Sequence, residues 1–265
     1  MEEIGNQRKI EQVAEILLQH PFCVALTGAG LSTQSGLPDF RSPGKGLWVK
    51  IEKMPHDTSE VMTLQGFKEK PEAFYSHFRS FLEMILSAKP NQAHIALAEL
   101  ETGGYIQAII TMNGDRLHQK AGSQRVIEVH GSIDRAVCIN CYRSDDGGHH
   151  WQRYIENGKI PQCRHCGGVM KPDVILTGEQ LPVQMVLKAK KLLHECDVIM
   201  AIGTSFSGGP VMNWIEKACE QGKKMMIFNL NPTILDSVAA IVIRADVAEV
   251  LPAIVEKLGS AHELF

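Results

Sequence analysis

Two Cys-x-x-Cys pairs stand 21 residues apart: Cys138 with Cys141, then Cys163 with Cys166. Two thiolates from each of two tight turns complete a tetrahedron, the arrangement that holds a structural zinc ion. Four thiolates leave no open coordination position, so the spacing predicts one structural Zn2+ and not a catalytic metal. Gly167-Gly168 follows the second pair and suits a tight turn beside a metal. A redox role for either pair is the lesser reading. His149, His150 and His165 lie in the same stretch and are expected as exposed loop histidines, not as ligands.

A second set of residues points to an anionic ligand. Gly28-Ala29-Gly30-Leu31-Ser32 follows the apolar run Phe22–Leu26 and leads to Gly36-Leu37-Pro38-Asp39-Phe40-Arg41-Ser42. A strand running into such a turn aims backbone N–H groups at a pyrophosphate, and glycine lets the chain approach closely. A bare G-x-G is equally compatible with a plain structural turn. Other polar residues end other apolar runs: Asn113 and Asp115 after Tyr105–Ile110, and His130-Gly131 after Arg125–Val129. Gly203-Thr204-Ser205 ends Asp197–Ile202, and Asn229 ends Met225–Phe228. Polar groups at the carboxyl ends of parallel strands line a ligand crevice. A lone histidine after a strand is more often structural. Convergence with the glycine turn and the Asn113/Asp115 pair makes His130 a general-base candidate.

The elements that must position these residues alternate. A helix is expected over 7–19, with Ile10, Val13, Ile16 and Leu17 on its buried face. Short apolar runs, including Val174–Leu176 and Val238–Ile243, alternate with helical patterns at His94–Leu100, Val183–His194 and Val211–Gln221. Asp246 is placed to cap a last helix reaching about Leu258. The alternation predicts an α/β fold, a doubly wound parallel sheet covered on both faces. Two stretches break it. Residues 51–90 are helical, with Phe67, Phe74, Tyr75, Phe78 and Phe81 expected to pack the core of a small lobe. Residues 136–171 carry the paired cysteines and a loop rich in Asp, Gly and His. The expected division is a large domain of residues 1–50, 91–135 and 172–265, and a small one of 51–90 and 136–171.

Bulk properties narrow the classes. With 265 residues at 44% hydrophobic content, the chain can bury a sizeable core. A net charge of −3 offers no basic field, so direct nucleic-acid binding is not expected. No apolar run spans a bilayer, and the acidic start Met1-Glu2-Glu3 lacks the order of a signal peptide. No membrane association and a cytoplasmic location follow as expectations. Cys23 and Cys196 are expected as small buried hydrophobes, without a disulfide framework in a reducing compartment. Oligomeric state is not readable.

From about residue 10 to 257 these motifs, with Gly178-Glu179 and Leu181-Pro182, appear in the order found in sirtuins, and the chain resembles that family of NAD-dependent protein-lysine deacylases. The resemblance implies a Rossmann-like NAD-binding domain with inserted zinc and helical modules. It implies NAD as cofactor and an acyl-lysine protein or peptide as partner. Gly28, Ala29, Gly30, Asp39 and Arg41 would lie on the diphosphate side, and Phe40 would shield the nicotinamide ribose. Asn113 and Asp115 would hold the nicotinamide beside Met112, with Asn113 also counted as catalytic. Gly203, Thr204 and Ser205 would meet phosphate, Asn229 the adenine ribose, and Asp246-Val247 the adenine. Thr177, Gly178, Glu179, Ser207 and Gly208 would contact the peptide. His130 would be the general base. In the implied chemistry the acyl oxygen attacks ribose C1′ as nicotinamide leaves, and a ribose hydroxyl then captures the acyl carbon. Lysine and O-acyl-ADP-ribose result.

Four positions depart from the family pattern. Thr-Gln-Asn-Ile-Asp reads Thr111-Met112-Asn113-Gly114-Asp115, and Phe-Gly-Glu reads Thr177-Gly178-Glu179. The peptide-clamping valine is replaced within Ser207-Gly208-Gly209. Three of the four changes trade bulk for space, which predicts acceptance of acyl groups bulkier than acetyl. The opposing expectation is that neighbours refill the space. Tyr75 and Arg79 miss the Y-x-x-R spacing used for acidic acyl groups, so desuccinylation is not expected. Met112 cannot make glutamine's hydrogen bonds, which keeps open an ADP-ribosyltransferase or NAD hydrolase. A non-catalytic NAD or acyl-peptide sensor is the remaining alternative.

Overall fold

A computed structural model describes residues 2–39, 60–206 and 209–262. β1 (Cys23–Thr27) is the hinge of its main sheet. On one side it pairs with β2 (Ala108–Thr111), which pairs with β3 (Val126–Glu128). On the other it pairs with β7 (Val198–Ile202), followed by β8 (Lys224–Phe228) and β9 (Ile241–Ile243). All six strands run parallel in the order β3-β2-β1-β7-β8-β9. The chain leaves β1 toward one edge and returns on its other flank at β7. The crevice outside the carboxyl ends of β1 and β7 is therefore the switch point where ligands bind in such sheets.

Burial on both faces explains the continuous apolar runs. Cys23 and Ala25 pack in a core with α1 (Glu2–Gln19), α4 (Gln92–Thr102) and α9 (Val247–His262). Val24 and Leu26 face the opposite core, against α7 (Val183–Glu195) and α8 (Pro210–Glu220). Of the three cysteines outside the pairs, Cys23 and Cys196 are buried as expected, and Cys219 is half-buried.

The second sheet is antiparallel: β4 (Gly131–Cys138) lies between β5 (Ser144–Asp146) and β6 (Met170–Val174). The Val174–Leu176 run was expected among the parallel strands. Instead its first residue ends β6, with Val174 opposite Gly131, because the chain must double back on β4 before it re-enters the large domain. The helices α2 (Leu64–Glu69) and α3 (Pro71–Ser87) share one core with this sheet. Phe67, Phe74 and Tyr75 are buried there beside Trp151 and Tyr154. Tyr75 Oη donates to the Met170 carbonyl at 2.6 Å, and Tyr154 Oη donates to the Tyr75 carbonyl at 2.7 Å.

The stretch expected as a loop contains α6 (Gly147–Asn157), whose first turn is capped by Asp146 Oδ1 accepting from His149 N at 2.9 Å. This corrects the reading of His150, which is buried in α6 and paired with Asp145 at 3.0 Å.

Candidate active site

Gly28 and Gly30 meet Gly203 at the crevice. Gly28 N donates to the Ile202 carbonyl at 3.0 Å and Gly30 N to the Gly203 carbonyl at 2.9 Å. A Cβ on Gly28 or Gly30 would stand 2.7 or 2.8 Å from the Gly203 oxygen, and one on Gly203, at φ +59°, would stand 2.4 Å from Leu31 N. Glycine is required because two backbones touch there. The turn continues as a 3-10 helix, Ala29–Ser35, closed by Gly36 in the left-handed region.

Asn113 and Asp115 follow β2 directly and are nearly buried, at 8% and 6% exposure. Asn113 Nδ2 donates to the Gly28 carbonyl at 3.0 Å and to Ser32 Oγ at 3.3 Å. Ser32 Oγ donates to Asp115 Oδ2 at 2.7 Å, while Asp115 Oδ1 accepts from Leu117 N at 3.0 Å, in the first turn of α5 (Leu117–Lys120). His130 follows β3, half-buried. Burial pushes its imidazole below the ordinary value, and a hydrogen bond to the Met112 backbone works in the opposite direction.

Asn113, Asp115 and His130 line one cavity of about 190 Å³. Its remaining wall is largely apolar, with Leu37, Met62, Phe78, Phe81 and Ile85 among the lining residues. Met112 and Thr177 also line it. Phe78 and Phe81 thus have two roles, packing the small-domain core and facing the cavity. Arg79 forms an ion pair with Glu83 at 3.1 Å and donates to the Ile155 carbonyl at 2.6 Å.

Gly114 lines the cavity, but the direction of its missing side chain is crowded. A Cβ there would meet the Gly131 oxygen and Val174 Cγ1, each at 3.1 Å, so β4 and β6 have closed on the position. Thr177 is tied in by its carbonyl, which accepts from Leu64 N at 3.0 Å. Gly178 sits beside it at φ +92°. Glu179 Oε2 accepts from buried Lys171 Nζ at 3.0 Å and from Leu176 N at 2.7 Å, so this carboxylate shapes the loop. Burial lowers the Lys171 pKa, and the Glu179 charge opposes that shift.

Thr204 is buried and Ser205 exposed at the β7 end. Asn229 Nδ2 donates to the Asn231 carbonyl at 2.7 Å. Asp246 Oδ1 accepts from Ala248 N at 2.9 Å and so caps α9, next to buried Val247. Asp39 is half-buried beside the 3-10 helix. Phe40, Arg41, Ser207 and Gly208 lie outside the described residues.

The four knuckle thiols converge, with every Sγ within 4.8 Å of the others. Cys138 Sγ lies 3.5 Å from Cys166 Sγ, and Cys141 Sγ 3.7 Å from Cys163 Sγ. A tetrahedron with Zn–S bonds of about 2.3 Å requires S···S separations of roughly 3.8 Å, so the donors fit Zn2+.

Ser32, Met62 and Ile85 join the site without a role expected from the sequence. Ser32 carried a signal, as a hydroxyl inside the glycine string. The two apolar residues carried none, since nothing in their type separates a cavity wall from a core. Among the described residues, no helix is long and apolar enough to cross a membrane.

A model of the Sir2 family matches residues 28–210. An NAD-dependent protein deacetylase of Sulfurisphaera tokodaii is 41% identical over 250 residues, covering 94% of this chain and 96% of that protein. NAD-dependent protein deacylase 2 of Archaeoglobus fulgidus is 41% identical over 254 residues, with 94% and 96% covered. A solved Sir2 enzyme structure superposes with a TM-score of 0.86 at 40% identity, covering 96% of this chain and 99% of that one. A Sir2–p53 peptide–NAD+ complex has a TM-score of 0.84 at 32% identity, covering 95% and 99%.

Proposed function

The chain belongs to the Sir2 family, and from that premise we infer that it is an NAD-dependent protein-lysine deacylase. The observation that carries this is the meeting of Asn113, Asp115 and His130, from adjoining strand ends, around one cavity whose other lining is largely apolar. Bound NAD supplies an electrophilic ribose carbon with nicotinamide as leaving group. Asn113 and Asp115 hold the nicotinamide end, and their burial fits a ligand that replaces water there. Gly28, Ala29, Gly30, Asp39, Gly203, Thr204 and Ser205 surround the phosphates and near ribose, and Asn229, Asp246 and Val247 the adenosine end. Met112 borders the nicotinamide side. Thr177 and Gly178 contact the acyl peptide, with Glu179 holding their loop. Cys138, Cys141, Cys163 and Cys166 hold one structural Zn2+.

His130 is the general base. One ring nitrogen engages the Met112 backbone, leaving the other to take a proton from a ribose hydroxyl. A lowered pKa keeps that nitrogen unprotonated at neutral pH.

The enzyme favours acyl groups bulkier than acetyl. Support comes from Met62, Phe78, Phe81 and Ile85, an apolar lining in the same cavity as His130. Gly114 adds little to this reading, because Gly131 and Val174 crowd the direction of its missing side chain. Each methylene seated on such a wall contributes about 0.8 kcal/mol, roughly fourfold in kcat/KM. A peptide ladder from acetyl to myristoyl, assayed with NAD, tests this. Rising kcat/KM with chain length supports it, and a series that falls from acetyl onward overturns it.

A transferase or NAD-hydrolase activity on the same scaffold remains the second reading, motivated by apolar Met112 lining the cavity. The large domain is taken as residues 1–50, 91–135 and 172–265, and the small one as 51–90 and 136–171. The shared aromatic core supports this division, although β4 and β6 extend across its borders at 135 and 171. A reducing, cytoplasmic setting suits a chain whose metal site needs four thiolates.

A further inference from the structure

His94 and His118 form a buried pair to which the reaction chemistry assigns no role. Their ring centroids lie 5.2 Å apart with planes at 64°, and their exposures are 0% and 1%. Each ring has one engaged nitrogen. His94 Nδ1 receives the Asn91 N–H at 3.4 Å and lies 3.1 Å from Asn91 Oδ1. His118 Nε2 lies 2.9 Å from Thr27 Oγ1. The other nitrogens, His94 Nε2 and His118 Nδ1, are buried without a hydrogen-bond partner. A buried polar atom left in that state costs about 1–3 kcal/mol.

Assigning donors shows that the two orphans are complementary. Thr27 Oγ1 donates to Thr111 Oγ1 at 2.8 Å, so its hydrogen is committed and it can only accept from His118. His118 Nε2 then carries the hydrogen, and its Nδ1 is a bare acceptor. At His94, the capping box that opens α4 has Nδ1 accept the Asn91 N–H, which places the hydrogen on Nε2. One orphan is a donor and the other an acceptor.

We propose that His94 Nε2–H and His118 Nδ1 are joined through one buried water, and that this tautomer-locked pair positions the nicotinamide pocket. Two connections carry the effect. From His118 the bonds run through Thr27 to Thr111, whose Oγ1 accepts the Asn113 N–H at 3.1 Å. From His94 they run to Asn91, whose Nδ2 donates to the Leu31 carbonyl at 2.8 Å and to Ser35 Oγ at 3.1 Å. The second route fixes the 3-10 helix that carries Ser32. The pair thus braces both partners of the Ser32–Asn113 contact. Burial keeps the rings neutral, pushing His94 down to about 4, against the pull of Asp115, and His118 down to about 3, helped by His94.

The positioning role rests on the deacylase reading, whereas the tautomers do not. Nitrogen-15 histidine NMR of the full chain at neutral pH reads them directly. Both rings should appear as Nε2–H tautomers, and an Nδ1–H form at either ring overturns the pairing. The wild-type spectrum decides this even if a variant does not fold. The role is tested with His94→Phe, which keeps a ring but no donor, and His94→Gln, which keeps an N–H. Misplacing the pocket should lower kcat about tenfold in His94→Phe with the acyl-peptide KM unchanged, and His94→Gln should restore most of it. Equal kcat in His94→Phe and wild type overturns the role and leaves the deacylase reading intact. Absence of NAD turnover in the wild type overturns that reading and the role with it, while the spectrum still decides the pair.

Discussion

Ser32 Oγ donates to Asp115 Oδ2 at 2.7 Å, joining the turn after β1 to the turn after β2 inside the site. The same hydroxyl accepts from Asn113 Nδ2 at 3.3 Å. One serine therefore fixes the carboxylate and the amide that are read as the nicotinamide clamp. Hydrogen bonds to a charged group contribute about 1.5–3 kcal/mol.

Ser32→Ala should lower kcat/KM for NAD by roughly ten- to a hundredfold, the kinetic equivalent of that bond. The melting temperature should also fall by several degrees, because a buried bond to the carboxylate is lost even though Asp115 keeps its bond to Leu117 N. Steady-state nicotinamide release and a thermal melt check the two halves.

Lys171 and Glu179 form an ion pair at 3.0 Å with side chains 7% and 17% exposed. Removing one partner of a buried pair costs about 3–5 kcal/mol, because the other charge stays behind. Lys171→Met should therefore destabilise the chain by several kcal/mol, and Lys171→Met with Glu179→Leu should recover part of the loss. Denaturant titration of the single and double variants reads this. Equal destabilisation in both would show that the pair is not coupled.

Two pH effects follow from buried imidazoles. His130 acts in its neutral form, so kcat/KM should rise with pH through a pKa below the ordinary histidine value of about 6.5 and then level off. Stability should also fall on the acid side. His94 and His118 are held neutral in the folded chain, at about 4 and about 3, while the unfolded chain protonates them near 6.5. Their contribution is complete above about pH 6.5 and is lost as pH falls toward the folded values, each unit removing roughly 1.4 kcal/mol per ring. Melts at pH 7.5 and pH 5 should separate by many degrees, and His118→Gln should narrow that gap.

The parallel sheet was visible in the sequence because strands buried on both faces read as unbroken apolar runs, as Cys23–Thr27 does. The strand-end residues were visible because glycine, Asn and Asp there have no reason in packing alone. Contacts between distant segments were not visible. Gly114 looked like released space, yet Gly131 and Val174 crowd it from 17 and 60 residues away. His150 looked like a loop residue because the Asp146 cap that starts α6 is a single side-chain bond. Phe78 and Phe81 looked like core alone, since an aromatic helix face does not reveal that one of its edges borders a cavity.

Zinc removal should dismantle the small sheet. Cys138 ends β4, and Trp151 lies fully buried in the same core. A chelator strong enough to extract the ion should release about one zinc per chain, as four thiolates bind one, and red-shift tryptophan fluorescence as that core opens. Extraction without any spectral change would show that the thiols do not hold the fold.

The most direct measurement is product analysis by mass spectrometry for purified protein, NAD and an acyl-lysine peptide. Nicotinamide, deacylated peptide and O-acyl-ADP-ribose should form in equal amounts, and His130→Ala should abolish the last two. Nicotinamide release with free ADP-ribose or ADP-ribosylated protein, and no deacylated peptide, would contradict deacylation and identify the transferase or hydrolase activity instead.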